Sequence, residues 1–313
     1  MTSLPSVVLF GASGFIGQNI VEALSGRVEM LVGVSGSRRS VPGCTHCLPI
    51  DDLASIPHLP NDAVLINVAA YRYHAGLFRS EQSLIMSRNV AIANAVYQFC
   101  IDRRILEVRL GSSIAVYPAI WALLDEDKTV DLNAWPHAGE AGYAWSKRWA
   151  EICAEVHRRQ AGINTQVFRL SNPYGPYDST DVTAAHVAAA FAIKALMPGD
   201  TFEILGNADA ERDFVFAGDV ARTLVASLGR RGINETYNLG FGRTFTIRQL
   251  AEAAIKAAGV NKRIVVAATA PEGVSLRRVN VAKVHRDLAP GVFADLNQGM
   301  AATVAWYRHA LGS

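Results

Sequence analysis

Three groups of residues have the types and spacing to do chemistry. Gly11, Gly14 and Gly17 punctuate the run Gly11-Ala-Ser13-Gly14-Phe15-Ile16-Gly17, between a short apolar stretch and a helical pattern. Glycines at that spacing permit a tight turn and a close backbone approach, so a pyrophosphate can lie on the N–H groups of the helix that follows. In this strand–loop–helix context the run predicts a dinucleotide cofactor. Tyr143 and Lys147 stand four residues apart, hence on one face of a helix. A phenol titrates near 10, too high for acid/base work at neutral pH, and an adjacent ammonium favours the phenolate. Lowering it by three units takes about 4 kcal/mol of differential stabilisation. Ser113, closing the run Leu110-Gly111-Ser112-Ser113, is of the type that hydrogen-bonds a reacting carbonyl oxygen and holds it for proton transfer.

The end of the second strand pattern is informative for what it lacks. An NAD site commonly carries Asp or Glu there, accepting from the ribose 2′-hydroxyl. This chain reads Val34-Ser35-Gly36-Ser37-Arg38-Arg39, with no carboxylate. Two guanidiniums and two hydroxyls are the donors a 2′-phosphate needs, so NADP(H) is favoured over NAD(H). Cys44 and Cys47 flank His46, but no second Cys pair completes a zinc ribbon, and no metal is expected.

These groups need elements to hold them. Apolar runs at 6–10, 30–34, 63–68, 105–110 and 165–170 read as strands. Helical patterns at 15–24, 83–99 and 144–159 alternate with them. Continuous apolar strands between helices imply a parallel sheet covered on both faces, the doubly wound Rossmann arrangement. Its ligands lie beyond the carboxyl ends of the strands. After Leu170 the texture changes. Residues 171–179 are dense in turn formers; a helix is expected at 184–196, strands near 202–205 and 214–216, and a helix at 220–228. Thr246 and Gln249 form a capping-box pattern opening a helix that ends at Gly259, and a last helix covers 295–308. The expected fold is α/β: a Rossmann parallel sheet with a smaller, interleaved α/β substrate domain. The dinucleotide-binding domain would comprise 1–171 plus 212–235, and the substrate domain 172–211 plus 236–313.

Taken in order, the motifs resemble those of the extended short-chain dehydrogenases/reductases, a family of nucleotide-sugar epimerases, dehydratases and 4-ketoreductases. The resemblance runs nearly end to end: the glycine run, Asp51-Asp52-Leu53, Asn67-Val-Ala69-Ala70, the serine pair, Tyr143-Ala-Trp-Ser-Lys147, Arg169-Leu-Ser171-Asn172-Pro-Tyr-Gly-Pro176, Arg212-Asp213 through Asp219, and Tyr237 to Gly240. It implies that Gly11, Ser13, Gly14, Phe15, Ile16 and Gly17 hold the pyrophosphate. Asp51, Asp52 and Leu53 would meet the adenine. Ala69, Ala70, Leu110, Gly111, Ser112, Ser171 and Asn172 would line the cofactor wall. Tyr143 would be the acid/base, Lys147 would also bind the nicotinamide ribose, and Ser113 would orient the carbonyl. Asn172, Arg212 and Arg277 would meet a nucleotide-linked sugar. By position alone, Tyr71, Arg72 and Tyr73 after the fourth strand are candidates to meet the sugar, with a surface loop as the alternative, and Ile114 opens an apolar run that either lines the site or packs on the core.

Within the family the chain looks most like the GDP-fucose-synthase type of 4-keto-6-deoxysugar reductases. His186 matches that group's general acid for epimerisation, although a histidine on an alanine-rich helix equally suits a packed core. Ile114 and Ala115 stand where that group has an epimerase cysteine and where the family's dehydratases have Asp-Glu. The resemblance therefore implies reduction without 3,5-epimerisation, and it disfavours dehydration. Asn280 replaces an aspartate usual in the family. The expected activity is NADPH-dependent reduction of a nucleotide-linked 4-keto-6-deoxysugar. A 4-epimerase retaining NAD is the alternative enzyme, and a silent dinucleotide-binding protein the alternative of another class.

Composition bounds the partners. The chain has 313 residues, half of them hydrophobic and 19% charged, so it has material for a sizeable core and is no disordered chain. Its 30 basic and 28 acidic residues leave +2, too small a field for a nucleic acid or membrane-surface partner. The N-terminus has no basic n-region before its first strand, and apolar stretches such as 114–124 fall short of a membrane span. A cytoplasmic enzyme is expected, a homodimer by family resemblance through the helices around 83–99 and 143–157.

Overall fold

The computed structural model describes residues 4–36, 40–71, 80–120, 122–128, 131–267 and 278–312. Its first strands are β1 (Val7–Phe10), β2 (Leu31–Ser35), β3 (His46–Pro49), β4 (Val64–Asn67), β5 (Glu107–Ser113), β6 (Leu123–Leu124) and β7 (Asn164–Leu170). They continue as β8 (Asn172–Tyr174), β9 (Thr201–Leu205), β10 (Glu211–Phe216), β11 (Thr236–Leu239), β12 (Thr244–Thr246), β13 (Arg263–Ala267) and β14 (Arg278–Val279). The helices are α1 (Phe15–Leu24), α2 (Gln82–Arg103), α3 (Ala141–Ala161), α4 (Val187–Leu196), α5 (Ala217–Ala226), α6 (Ile247–Ala258), α7 (Ala282–Leu288) and α8 (Leu296–Leu311).

Seven strands form one parallel sheet in the order β11-β7-β5-β4-β1-β2-β3. β1 and β4 are buried at every residue, because helices cover both faces and no strand position meets water. One face packs a core against α1 and α5, including Ile20, Leu24, Val220 and Leu224. The other packs one against α2 and α3, including Val96, Tyr97, Cys153 and Ala154. Strand order reverses between β1 and β4. That reversal opens the crevice at their carboxyl ends where ligands of such sheets bind.

The second unit has its own core around Phe191, Phe202, Leu250, Met300 and Tyr307, from α4, α6 and α8 over a three-stranded sheet β12-β10-β8. Local signals set its helix ends. Thr246 Oγ1 accepts from Gln249 N while the Gln249 side chain accepts from Thr246 N, and Gly259 ends α6 at φ 71°. Asp295 and Gln298 repeat the box at α8. Leu296, Met300, Thr303, Val304 and Tyr307 form one buried stripe of α8.

The units interleave differently from the sequence expectation. Thr236–Leu239, placed there with the second unit, is the outer strand of the large sheet beside β7. The 212–219 stretch divides. β10 joins the small sheet, and only α5 returns to cover the large one. Apolar strand patterns are alike for either sheet, so composition could not assign them. α4 also begins at Val187, three residues later than expected, because residues 181–184 form a turn with Ala184 N donating to Asp181 O.

Candidate active site

The β1–α1 turn is built by exclusion of side chains. Gly11 has φ 89°, a conformation costly for other residues, and a Cβ there would lie 2.7 Å from Ala69 N. A Cβ on Gly17 would stand 2.0 Å from Gly11 O. Gly14 N donates to Gly11 O at 2.9 Å, closing the turn. No side chain caps α1 at Gly14, and its first turn carries no acidic residue. The positive end of the helix dipole therefore faces the crevice, with β1 and the segment after β4 pressed together beside it. This cradle fits a dinucleotide pyrophosphate.

α3 carries the acid/base pair. Lys147 Nζ donates to Gly111 O at 2.8 Å and lies 5.7 Å from the centre of the Tyr143 ring. Lys147 is buried, and burial pushes its ammonium down to about 8, with the Glu151 carboxylate opposing that shift. Ser113, half-buried at the end of β5, accepts from Ala115 N at 3.1 Å. Ile114 and Ala115 beyond it are buried at 5% and 2% exposure, packed with Val116 and Tyr117 rather than presenting polar groups.

On the other side of the crevice, Asp213 ties three segments together. Its carboxylate accepts from Ser171 Oγ (2.8 Å), Phe241 N (2.8 Å) and Gly242 N (2.7 Å), and Asn172 Nδ2 donates to its carbonyl (2.8 Å). Burial pushes the Asp213 carboxyl up, and those hydrogen bonds oppose the rise. Arg212 NH1 donates to Glu211 O. Asp219 pairs with Arg222 and accepts from Ala294 N at 2.7 Å. His186 is the N-cap of α4 and not a residue of its apolar face, which corrects the core alternative. Its Nδ1 meets buried Asp178 Oδ2 at 2.8 Å, and its ring is 6.2 Å from that of Phe15, beside the glycine turn.

Other expected residues fall as follows. Ser13 and Ile16 are half-buried in the turn, and Ser13 O accepts from Gln18 Nε2. Asp51, Asp52 and Leu53 form a 3-10 turn after β3, tied to Arg103 through Leu53 O. Ala69 N donates to Asn67 Oδ1, Ala70 is exposed, and Tyr71 N donates to Asn89 Oδ1. Leu110 is buried in β5. Two serines take part in the fold's own hydrogen bonds. Ser112 Oγ donates to Glu151 at 2.6 Å, so its hydroxyl faces α3. Ser35 is 3% exposed, and its hydroxyl is hydrogen-bonded to the Cys47 thiol on β3. Ser37, Arg38, Arg39, Arg72, Tyr73 and Arg277 lie outside the described residues. Cys44 and Cys47 form no disulfide, and burial, with the Cys47 thiol beside it, pushes Cys44 up to about 11. Asn280 Oδ1 accepts from Ala282 N at the start of α7.

Sequence reasoning missed Glu151 and Asp178. Glu151 carried a signal, since it continues the Tyr143–Lys147 spacing by four residues. Asp178 closes the Tyr-Gly-Pro-Tyr-Asp stretch that carries the resemblance, but nothing in that stretch marked it as the partner of His186.

Comparison with known proteins matches residues 7–240 to the model of the NAD dependent epimerase/dehydratase family. A dTDP-4-dehydro-6-deoxy-D-allose reductase of Streptomyces sp. is 26% identical, over 97% of this chain and 96% of its own. A dTDP-glucose 4,6-dehydratase of Actinoplanes sp. is 23% identical, over 96% and 97%. Among solved structures, UDP-N-acetylglucosamine 4-epimerase from Methanobrevibacter ruminantium superposes with a TM-score of 0.81 at 19% identity, covering 99% of this chain and 100% of that one.

Proposed function

From the premise that the chain belongs to the NAD-dependent epimerase/dehydratase family, we propose that it reduces a nucleotide-linked 4-keto-6-deoxysugar at C4. The observation that carries this reading is the pairing of Tyr143 and Lys147 at a strand end whose next residues are buried Ile114 and Ala115. Proton donation to one oxygen is provided for; an acid and a base for water loss are not.

Gly11, Gly14 and Gly17 hold the dinucleotide on the N-terminus of α1, and when bound it supplies the hydride. NADP(H) is preferred because no carboxylate follows β2 while Arg38 and Arg39 do. With Ser35 buried, those two arginines and Ser37 carry that preference. Ser113 Oγ holds the carbonyl oxygen. Tyr143 gives its proton to that oxygen as charge develops, and the Lys147 ammonium stabilises the phenolate left behind. Asn172 and Arg212 meet the nucleotide-linked substrate, and His186 faces it from the α4 side with Nδ1 held by Asp178.

The reading is tested with a panel of 4-keto-6-deoxy nucleotide sugars. NADPH consumption exceeding NADH consumption, with a single C4 alcohol as product, is expected. Protein that arrives with tightly held NAD and interconverts C4 epimers of a nucleotide sugar would overturn it in favour of the 4-epimerase. Cofactor binding with no turnover on any keto-sugar would favour a silent binding protein.

A further inference from the structure

Behind the Tyr143–Lys147 face lies a second polar constellation that the reaction above does not use. In the β5–β7 pairing Ser112 stands beside Arg169, so both side chains leave the same face of the sheet. They converge on Glu151, one turn beyond Lys147 on α3. Ser112 Oγ donates to Glu151 Oε1 at 2.6 Å, Arg169 Nε to Oε1 at 3.0 Å, and Arg169 NH2 to Oε2 at 2.7 Å. Both side chains of the ion pair are buried, at 8% and 7% exposure. The far side of the guanidinium lies 4.9 Å from the Tyr117 ring, and the Tyr117 hydroxyl donates to Asn238 Oδ1 at 2.8 Å. Arg169 is thus fixed between carboxylate and ring.

Among the described residues, the groups that act on Lys147 are few. Tyr143 and Glu151, both on α3, act on it directly; Arg148 from α3 and Arg169 from β7 act on Glu151, and Tyr117 from the turn after β5 acts on Arg169. β5 contributes the Gly111 carbonyl and serine hydroxyls. Among the described residues, Glu151 is the one carboxylate that acts on Lys147. Its ion pair is with Arg169, and it acts on Lys147 from one helical turn away, so two buried cations divide its charge.

We propose that Glu151 is a positioning residue that keeps Lys147 in its ammonium form in this dry setting and so sets the upper pH limit of proton transfer at Tyr143, an inference that rests on the roles given to those two residues above. Burial works against the ammonium, and Glu151 is the group that opposes it. Without the carboxylate the lysine is neutral at lower pH, and the phenol beside it returns toward its ordinary range. Deleting Arg169 acts in reverse, because the carboxylate is then undivided.

The chain has only six lysines, so the cofactor-free protein labelled at lysine Cε gives a countable set of NMR signals, with Lys147→Met identifying the one of interest. The midpoint of Lys147 is expected to fall by about one unit or more, a tenfold change in proton affinity, in Glu151→Gln. It is expected to rise in Arg169→Gln and to be largely restored in Glu151→Asp. The alkaline limb of the reductase pH profile moves in the same directions. Folded Glu151→Gln with an unmoved Lys147 midpoint overturns the proposal. If that variant does not fold, Arg169→Gln decides, and an unmoved midpoint there overturns it equally. A shifted midpoint in a protein that reduces no keto-sugar would indict the substrate reading and leave the role of Glu151 standing.

Discussion

Lys147 is an amine held where water does not reach, and its pH response follows from that. Its ammonium is pushed down to about 8 by burial, so reduction is expected to decline as pH rises through that value, when the phenolate of Tyr143 loses its cation. Stability runs the other way. Between about 8 and the ordinary lysine value the unfolded chain holds a proton that the folded chain has shed, so this group's contribution to folding stability rises with pH across that interval. Below it the buried charge is a cost. Lys147→Met is therefore expected to abolish turnover yet to melt at or above the wild-type temperature at pH 7, a comparison that calorimetry and steady-state kinetics make together. Tyr143→Phe isolates the proton itself. It should lower kcat by about 10²–10⁴-fold with cofactor affinity retained, and undiminished turnover would sink the assigned role.

At the scale of elements, the glycine turn and the helix caps make separable predictions. Gly17→Ala drives a methyl into the Gly11 carbonyl, so the turn must open. Cofactor affinity should fall by tenfold or more in a titration, with the far unit's melting unaffected. Thr246→Ala removes one half of the α6 box and should cost about 1 kcal/mol, read as a lower Tm with kcat unchanged. These are also the elements that were most legible in the sequence. α1 spans the residues its pattern indicated, and α6 starts and stops where Thr246, Gln249 and Gly259 said it would. Such signals are local: a cap needs only residues three or four apart. The helical spacing put Glu151 on the face of Tyr143 and Lys147, but its partners were not legible, because they come from β5 and β7 and meet only through strand register. His186 was read on a helix face when it stands at the N-cap, since alanines upstream extend the helical pattern without forming helix. The fate of Ser35 was likewise hidden, as the Cys47 beside it sits on another strand.

For the whole molecule, α2 and α3 leave an apolar surface uncovered. Trp149, Ile152 and Val156 on α3 are 41%, 46% and 49% exposed, and Met86 and Ile101 on α2 are 42% and 46% exposed. Trp149 and Ile152 are three residues apart and Val156 four further, the spacing of one helix face. A second copy of the chain seated on this face is the expected homodimer, and Ile152→Glu with Val156→Lys should convert it to monomer in light scattering. A wild-type monomer at high concentration would refute that expectation. Among the described residues, no helix is long and apolar enough to cross a membrane.

The interleaving of the two units bears on how the chain is made. When residue 171 has left the ribosome, the sheet still lacks β11, so β7 presents an open edge, and α1 lacks α5 as its cover. Three strands and a helix of mixed allegiance must be synthesised before residues 217–239 arrive to finish the first unit. N-terminal-first folding is therefore denied to this nucleotide-binding half: it waits, edge exposed, for the middle of its neighbour. A fragment ending at 171 should be recovered as aggregate, whereas one ending beyond 239 has every strand its sheet requires.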